Sequence, residues 1–224
     1  MYKRQAGAIP IILGGDHSVA YPNITAMAEH FGAGRIGVIQ FDAHADTAGI
    51  LWDVKLSHGT PMRLVVDEGS VRGEHFLQFG LRGYWPDPAD FDWMRQAGMR
   101  WHLMAEVIER GFAAVLADLL EEAEELPDVL YLVLDIDVVD PSFAPGTGTP
   151  EPGGLSAREF LYAVRTLCTA LPVKGIEVVE VSPPYDSSEI TAMLAHRAVL
   201  EAVSGIAANR SGRGARPQRP GAPA

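Results

Sequence analysis

Asp42, His44 and Asp46 occupy alternate positions in the run Phe41-Asp-Ala-His-Ala-Asp46, directly after the apolar stretch Ile36-Gly-Val-Ile-Gln40. A strand repeats every two residues, so this spacing predicts that the three side chains start on one face. They stand where a buried strand would end, which is where open α/β sheets hold their ligands. Two carboxylates and an imidazole converging there describe a site for a divalent cation. Two more runs have the same form. Gly14-Gly-Asp-His-Ser18 follows the short apolar run Ile9-Pro-Ile-Ile-Leu13 and offers His17. Asp135-Ile-Asp137 follows Val129-Leu-Tyr-Leu-Val-Leu134 and offers two carboxylates, again at alternate positions. Six candidate ligands are too many for one ion and suit two if some carboxylates bridge. An oxygen-rich set with some imidazole and no thiolate favours Mn(II) over Zn(II).

Each motif alone has an ordinary structural role open to it. A single Asp after a strand usually forms a turn or caps a helix, and Asp16 and Asp140 are read that way. His75 and His102 read as packed or surface residues. Such roles do not account for the set, because three strand ends would have to gather acids and histidines by accident. Unpaired carboxylates crowded in one crevice repel one another and resist ionisation unless cations neutralise them.

The elements that must position these residues alternate between strand and helix, which predicts a three-layer α/β/α fold with a mainly parallel sheet. Strands are expected at 9–13, 36–41, 75–80, 100–103, 129–135 and 175–181. Helices are expected at 19–31, 60–68, 88–97, 112–125, 156–169 and 188–207. Ser156 reads as an N-cap, with Glu159 completing a capping box. The Pro- and Gly-rich loop 140–154 follows the Asp135–Asp137 pair directly and is expected to wall the site. At 224 residues with 47% apolar content, the chain fits one α/β domain with a real core, residues 1–208. The Arg-, Gly-, Pro- and Ala-rich segment 209–224 is expected to be a disordered tail. A net charge of −11 argues against nucleic acid and is compatible with a cationic substrate. The single cysteine, Cys168, excludes a disulfide framework and a thiolate metal site. No stretch is read as long and apolar enough to span a bilayer, and a cytoplasmic location is expected.

Six runs together resemble the ureohydrolase family, which contains arginase, agmatinase and other guanidino-compound hydrolases. They are Gly14-Gly-Asp-His-Ser18, Phe41-Asp-Ala-His-Ala-Asp46, Ser57-His-Gly-Thr-Pro-Met-Arg63, Asp135-Ile-Asp-Val-Val-Asp-Pro141, Pro145-Gly-Thr-Gly-Thr-Pro150 and Glu177-Val-Val-Glu-Val-Ser-Pro183. The resemblance reaches to about Asn209 in the family's motif order. Ser57-His-Gly-Thr-Pro61 and Val178-Val-Glu-Val-Ser-Pro-Pro-Tyr-Asp186 look like the agmatinase and guanidinobutyrase branch. The resemblance implies an arginase-like fold and two manganese ions per chain. His17, Asp42, Asp46 and Asp135 would hold the first, and Asp42, His44, Asp135 and Asp137 the second, with Asp42 and Asp135 as bridges. A water shared by two cations is a far stronger acid than bulk water, whose pKa is ~15.7 against about 7 on a single catalytic zinc. The hydroxide so formed would attack the guanidinium carbon, with Asp46 accepting its hydrogen bond. His58 is the implied proton carrier to the departing amine, and its ordinary pKa of ~6.5 suits that task. Glu180 is the proposed anchor for the guanidinium. Glu177, three positions earlier, would point to the other face and is left out.

The chain begins only a few residues before the Gly-Gly-Asp-His motif, where ureohydrolases normally carry a substantial segment. Met1-Tyr-Lys-Arg-Gln5 also reads like translated adapter DNA, so a fragment lacking its N-terminal part is expected. Three functional readings stay open. One is a manganese amidinohydrolase acting on a small cationic guanidino compound, agmatine first, with guanidinobutyrate or guanidinopropionate as alternatives. Another is a single-zinc deacylase of the arginase-like fold, which would have no use for His17 and Asp46. The last is a non-catalytic subunit. Self-association as a trimer or hexamer is implied by the resemblance alone. Arg63 and Arg82 are the cations that could meet a substrate carboxylate.

Overall fold

The computed structural model describes residues 7–212. Each apolar run is a strand: β1 (Ile11–Leu13), β2 (Gly37–Phe41), β3 (Phe76–Leu81), β4 (Arg100–Leu103), β5 (Leu130–Asp135) and β6 (Val173–Val179). They form one sheet in the order β1-β6-β5-β2-β3-β4, and every pair is parallel. Among the described residues seven α-helices connect and flank them: α1 (Ala20–Phe31), α2 (Pro61–Asp67), α3 (Pro88–Ala97), α4 (Met104–Arg110), α5 (Phe112–Glu122), α6 (Ala157–Ala170) and α7 (Ile190–Arg210). The expected three layers are present.

The pleat explains why the strand runs read as continuously apolar. Leu130, Leu132 and Leu134 join Ile39, Phe41 and Phe79 in a core beneath α4 to α7, while Tyr131, Val133, Val38 and Phe76 face α1, α2 and α3. A parallel strand covered on both faces has no polar side to alternate with. Phe41 and Phe79 stack with ring centroids 4.9 Å apart. Each such buried side chain contributes about 1.5–3 kcal/mol.

Local chemistry sets the helix boundaries. Asp87 caps α3 by accepting from the amides of Ala89 and Asp90, Pro88 opens the helix, and Gly98 closes it in the left-handed region. Ser156 and Glu159 form the expected capping box at the start of α6. The last two helices meet closely at Gly205, where an added Cβ would lie 2.7 Å from Cys168 Cβ and 2.9 Å from the Arg165 carbonyl oxygen.

Four details correct the sequence expectations. Helix α4 has no counterpart among the expected elements: it starts directly from β4, without a side-chain cap on Leu103, and runs only seven residues to Gly111. The helix expected at 112–125 ends at Glu122, and a 3₁₀ turn covers Ala123–Glu125. The expected tail begins inside α7, since Asn209 is helical and donates from Nδ2 to the Thr169 carbonyl at 2.8 Å. Residues 213–224 of that tail lie outside the described residues. Finally, α7 is by length and composition long and apolar enough to cross a membrane, contrary to the hydropathy reading. In this fold Leu194, Ala195, Ala198 and Ala202 of α7 are buried in the core shared with α6.

Candidate metal centre

The acids and histidines gather where β2, β5 and β6 end. Strand β2 stops at Phe41, so residues 42–46 form no strand, and alternate spacing does not bring Asp42, His44 and Asp46 together. Their convergence comes from a tight turn. The Asp42 carboxylate accepts from the His44 amide at 2.6 Å, the Ala43 amide donates to Asp137 Oδ1 at 2.9 Å, and Asp46 takes a left-handed φ of 54°. A bulge in β3 makes room for this turn. Gly80 has φ 108°, and a Cβ there would lie 2.9 Å from the Asp42 carbonyl oxygen. Only glycine accepts both the backbone angle and that approach.

The other ligands arrive by the same kind of turn. Asp135 ends β5 and accepts from the Asp137 amide at 2.9 Å, which folds residues 136–138 into a 3₁₀ turn and aims both carboxylates inward. Asp16 caps the 3₁₀ turn at His17 by accepting from the Ser18 amide, the capping role expected of it. Asp140 accepts from the amides of Ser142, Gly153 and Gly154, and so folds the loop 140–154 rather than serving the site. His102 is buried against Glu106 and Glu122, away from the other histidines, as a packed residue.

Two triplets that could hold a metal ion result, His17–Asp42–Asp135 and Asp42–His44–Asp137, and Asp42 belongs to both. Asp46 stands beside the first, its Oδ2 2.7 Å from His17 Nδ1. Asp42 Oδ2 and Asp135 Oδ2 lie 3.1 and 3.2 Å from the same nitrogen. None of the three is in line for a hydrogen bond, so both ring nitrogens of His17 are fully buried without a hydrogen-bond partner. On the other side, His44 Nδ1 meets Asp137 Oδ2 at 2.9 Å, and Thr149 Oγ1 donates to that oxygen at 3.3 Å.

The electrostatics fit a cation centre. Burial, then the charges of Asp137 and Asp46, push Asp42 up to about 7. Burial, then Asp137 and Asp42, push Asp135 well above the carboxylate range. Burial opposes protonation of the two imidazoles, but the surrounding carboxylates outweigh it, holding His17 well above its ordinary value and His44 at about 9. Burial would also raise Asp137, yet its bond to His44 and that charge hold it below the usual range. Orphaned imidazole nitrogens among buried carboxylate oxygens are a donor set that hard divalent cations satisfy.

A cavity of about 340 Å³ opens onto this cluster, lined among others by Asp46, His58, Trp52, Trp85, Glu151 and Glu180. His58 sits in a turn closed by Thr60, whose Oγ1 accepts from the Ser57 amide at 2.8 Å, and its ring lies 5.4 Å from that of Trp52. Glu180 lies outside the strand, although the expected strand 175–181 included it; β6 stops at Val179, and Glu180 takes a left-handed φ of 61°. Its Oε1 accepts from the His17 amide at 2.7 Å, and burial raises its pKa against the pull of His17. Glu177 faces α1 and accepts from Asn23 of that helix and from Tyr131 of β5. A larger groove of about 550 Å³ between α5 and α6, at the opposite end of the sheet, holds none of the candidate ligands.

The structure adds residues that sequence reasoning missed. Gln40 and Gln78 lie fully buried behind Asp42, and only two polar residues in otherwise apolar strands signalled them. Both arginines that could meet a substrate carboxylate are engaged elsewhere. Arg82 donates to the carbonyls of Gly80, Asp137, Val138, Glu151 and Pro152. Arg63 pairs with Asp67 and Asp90 and lies over the Trp93 ring.

Comparison with known proteins extends this picture. The arginase family model matches residues 2–205. The chain is similar to the human mitochondrial guanidino acid hydrolase, with 39% identity across 88% of this chain and 54% of that protein. It is 37% identical to chicken mitochondrial agmatinase across 88% of this chain and 56% of that protein. Among solved structures it superposes on a Trypanosoma cruzi formiminoglutamase variant determined with Mn²⁺, with TM-score 0.83 and 26% identity, covering 96% of this chain and 68% of that one. The chain thus spans little more than half the length of the two curated relatives named here.

Proposed function

The chain belongs to the arginase family, and from that premise we propose that it is a manganese-dependent amidinohydrolase that releases urea from a guanidino compound, agmatine before others. The observation that carries the reading is the pair of ligand triplets sharing Asp42, open to a cavity that also holds His58 and Glu180. His17, Asp42, Asp46 and Asp135 would hold one ion and Asp42, His44, Asp135 and Asp137 the other. Bound there, two Mn(II) ions would neutralise the carboxylates and acidify a water, so that hydroxide is available near neutral pH.

The chain's own residues do the rest. Glu180 is held by the His17 amide and presents a carboxylate to a planar guanidinium, a charge-assisted contact that also orients the carbon to be attacked. Asp46, on the cavity wall beside His17, accepts a hydrogen bond from the attacking oxygen. His58 carries a proton to the nitrogen that leaves, since an amine departs only once protonated. Trp52 lies beside His58 at that edge, with ring centroids 5.4 Å apart.

The cavity lining supports an amine at the substrate's far end. Among the described residues that line it there is no Lys or Arg, while Glu151, Trp52 and Trp85 are present. A carboxylate there would meet Glu151 unpaired; an ammonium would meet an acid and two aromatic faces. Guanidinobutyrate is the competing substrate, favoured by similarity to the human guanidino acid hydrolase. The test is urea release with Mn(II) across agmatine, 4-guanidinobutanoate and 3-guanidinopropanoate. The expected order puts agmatine first; a faster acid would overturn the substrate, and no urea from any would overturn the reaction. Assembly as a trimer or hexamer and a cytoplasmic location belong to the same proposal, checked by light scattering and by fractionation of the source cells.

A further inference from the structure

Behind Asp42, on the side away from the cavity, two amides stand in direct register across neighbouring strands, Gln40 of β2 opposite Gln78 of β3. Both are completely buried. Gln78 Nε2 donates to the Ala45 carbonyl at 2.8 Å and to Gln40 Oε1 at 2.7 Å. Gln40 Nε2 donates in turn to Asp42 Oδ2 at 2.6 Å and reaches the His44 carbonyl at 3.4 Å. The direction of this chain is fixed by chemistry. A backbone carbonyl only accepts, so Gln78 must turn its NH₂ toward Ala45; that sets the oxygen of Gln40 toward Gln78 and leaves its NH₂ for Asp42.

We propose that the Gln40–Gln78 pair is the positioning device of the metal centre, fixing the Asp42 carboxylate and the turn 42–46 through one directional chain of amide hydrogen bonds. Asp42 is common to both ligand triplets, so an error in its orientation is felt at both. The pair also holds the backbone of His44 and Ala45, and so the turn that carries His44 and Asp46 to the cluster. A hydrogen bond from a neutral amide leaves the carboxylate negative, so it orients the ligand without competing for its charge. Apolar residues at 40 and 78 would suit the strands equally well but would leave one Asp42 oxygen without its amide donor, with the His44 amide holding the other.

The inference rests on the metal-dependent reading above, and its test reads metal binding rather than turnover. Gln40→Met keeps volume and burial while removing the donor. Metal-free protein is titrated with Mn(II), followed by calorimetry and by the electron paramagnetic resonance of the bound ions. The expected result is affinity weakened roughly 10- to 100-fold, as for other residues that orient metal ligands, with an altered signal from the spin-coupled pair. Gln78→Met, which does not touch Asp42, is expected to give a smaller shift in the same direction. Wild-type affinity and signal in both variants would overturn the proposal. So would failure of both to fold without metal, since the pair would then be part of the core and not a positioning device. A wild-type chain that binds no Mn(II) would instead sink the metal-dependent reading itself.

Discussion

In the proposed reaction His58 and Glu180 divide the chemistry between a proton and a charge, and each role has its own signature. His58→Ala is expected to lower kcat by about 10²–10⁴, the usual worth of a positioned acid or base, with unchanged metal content. A loss below tenfold in steady-state urea release would remove His58 from that role. Glu180→Gln keeps the acceptor for the His17 amide but loses the charge facing the guanidinium. A charged hydrogen bond is worth about 1.5–3 kcal/mol, so kcat/KM should fall roughly 10- to 150-fold while kinetics at saturating substrate change less. The ligand types were legible in the sequence because acids and histidines that recur after buried apolar runs repel or desolvate one another unless a cation joins them. The cause of their convergence was not. Strand periodicity suggested a shared face for Asp42, His44 and Asp46, but the turn closed by the Asp42 carboxylate and the left-handed Asp46 does the work. Neither feature has a signal in residue order.

The central strands were the most legible elements, because β2, β3 and β5 are buried along their whole length and are apolar at most positions. Helices with a chemical beginning were equally plain: Asp87-Pro88 and Ser156 with Glu159 announce α3 and α6. Helix α4 escaped because it follows β4 without a cap, and only Met104 and Val107 of its seven residues are buried. Its existence depends on the core beneath it. The contact between α6 and α7 at Gly205 gives a prediction at this scale. In Gly205→Val the new Cβ would lie 2.7 Å from Cys168 Cβ, and backbone on the α6 side cannot yield. Overpacking costs about 1–3 kcal/mol, whereas valine gains only a few tenths of a kcal/mol over glycine in helix propensity. The thermal midpoint should therefore drop by roughly 2–10 °C. An unchanged midpoint would mean the helices can part there without cost.

At the scale of the whole molecule, the far end of the substrate was the least legible feature. Trp52, Trp85 and Glu151, proposed to face it, come from three separate segments and meet only in the folded cavity. The same folding concentrates part of the chain's negative charge where water cannot screen it, and this ties global stability to pH and metal together. Without metal, the raised values of Asp42, Asp135, His17 and His44 mean that the native cluster holds protons more tightly than the unfolded chain does. Stability from such groups is fully present below their unfolded pKa values and is lost as pH rises through the folded ones, here about 7 for Asp42 and about 9 for His44. Asp137 has the opposite sign, but its lowered value places the loss on the acid side. The chelated protein should therefore melt at steadily lower temperature as pH rises from about 6 to about 9. In the proposed reading bound Mn(II) would replace those protons, so its stabilisation should grow over the same window. Melting curves with Mn(II) and with chelator, recorded across that range, should diverge toward alkaline pH. A gap that stays constant or narrows would show that the buried acids and histidines do not exchange protons for metal.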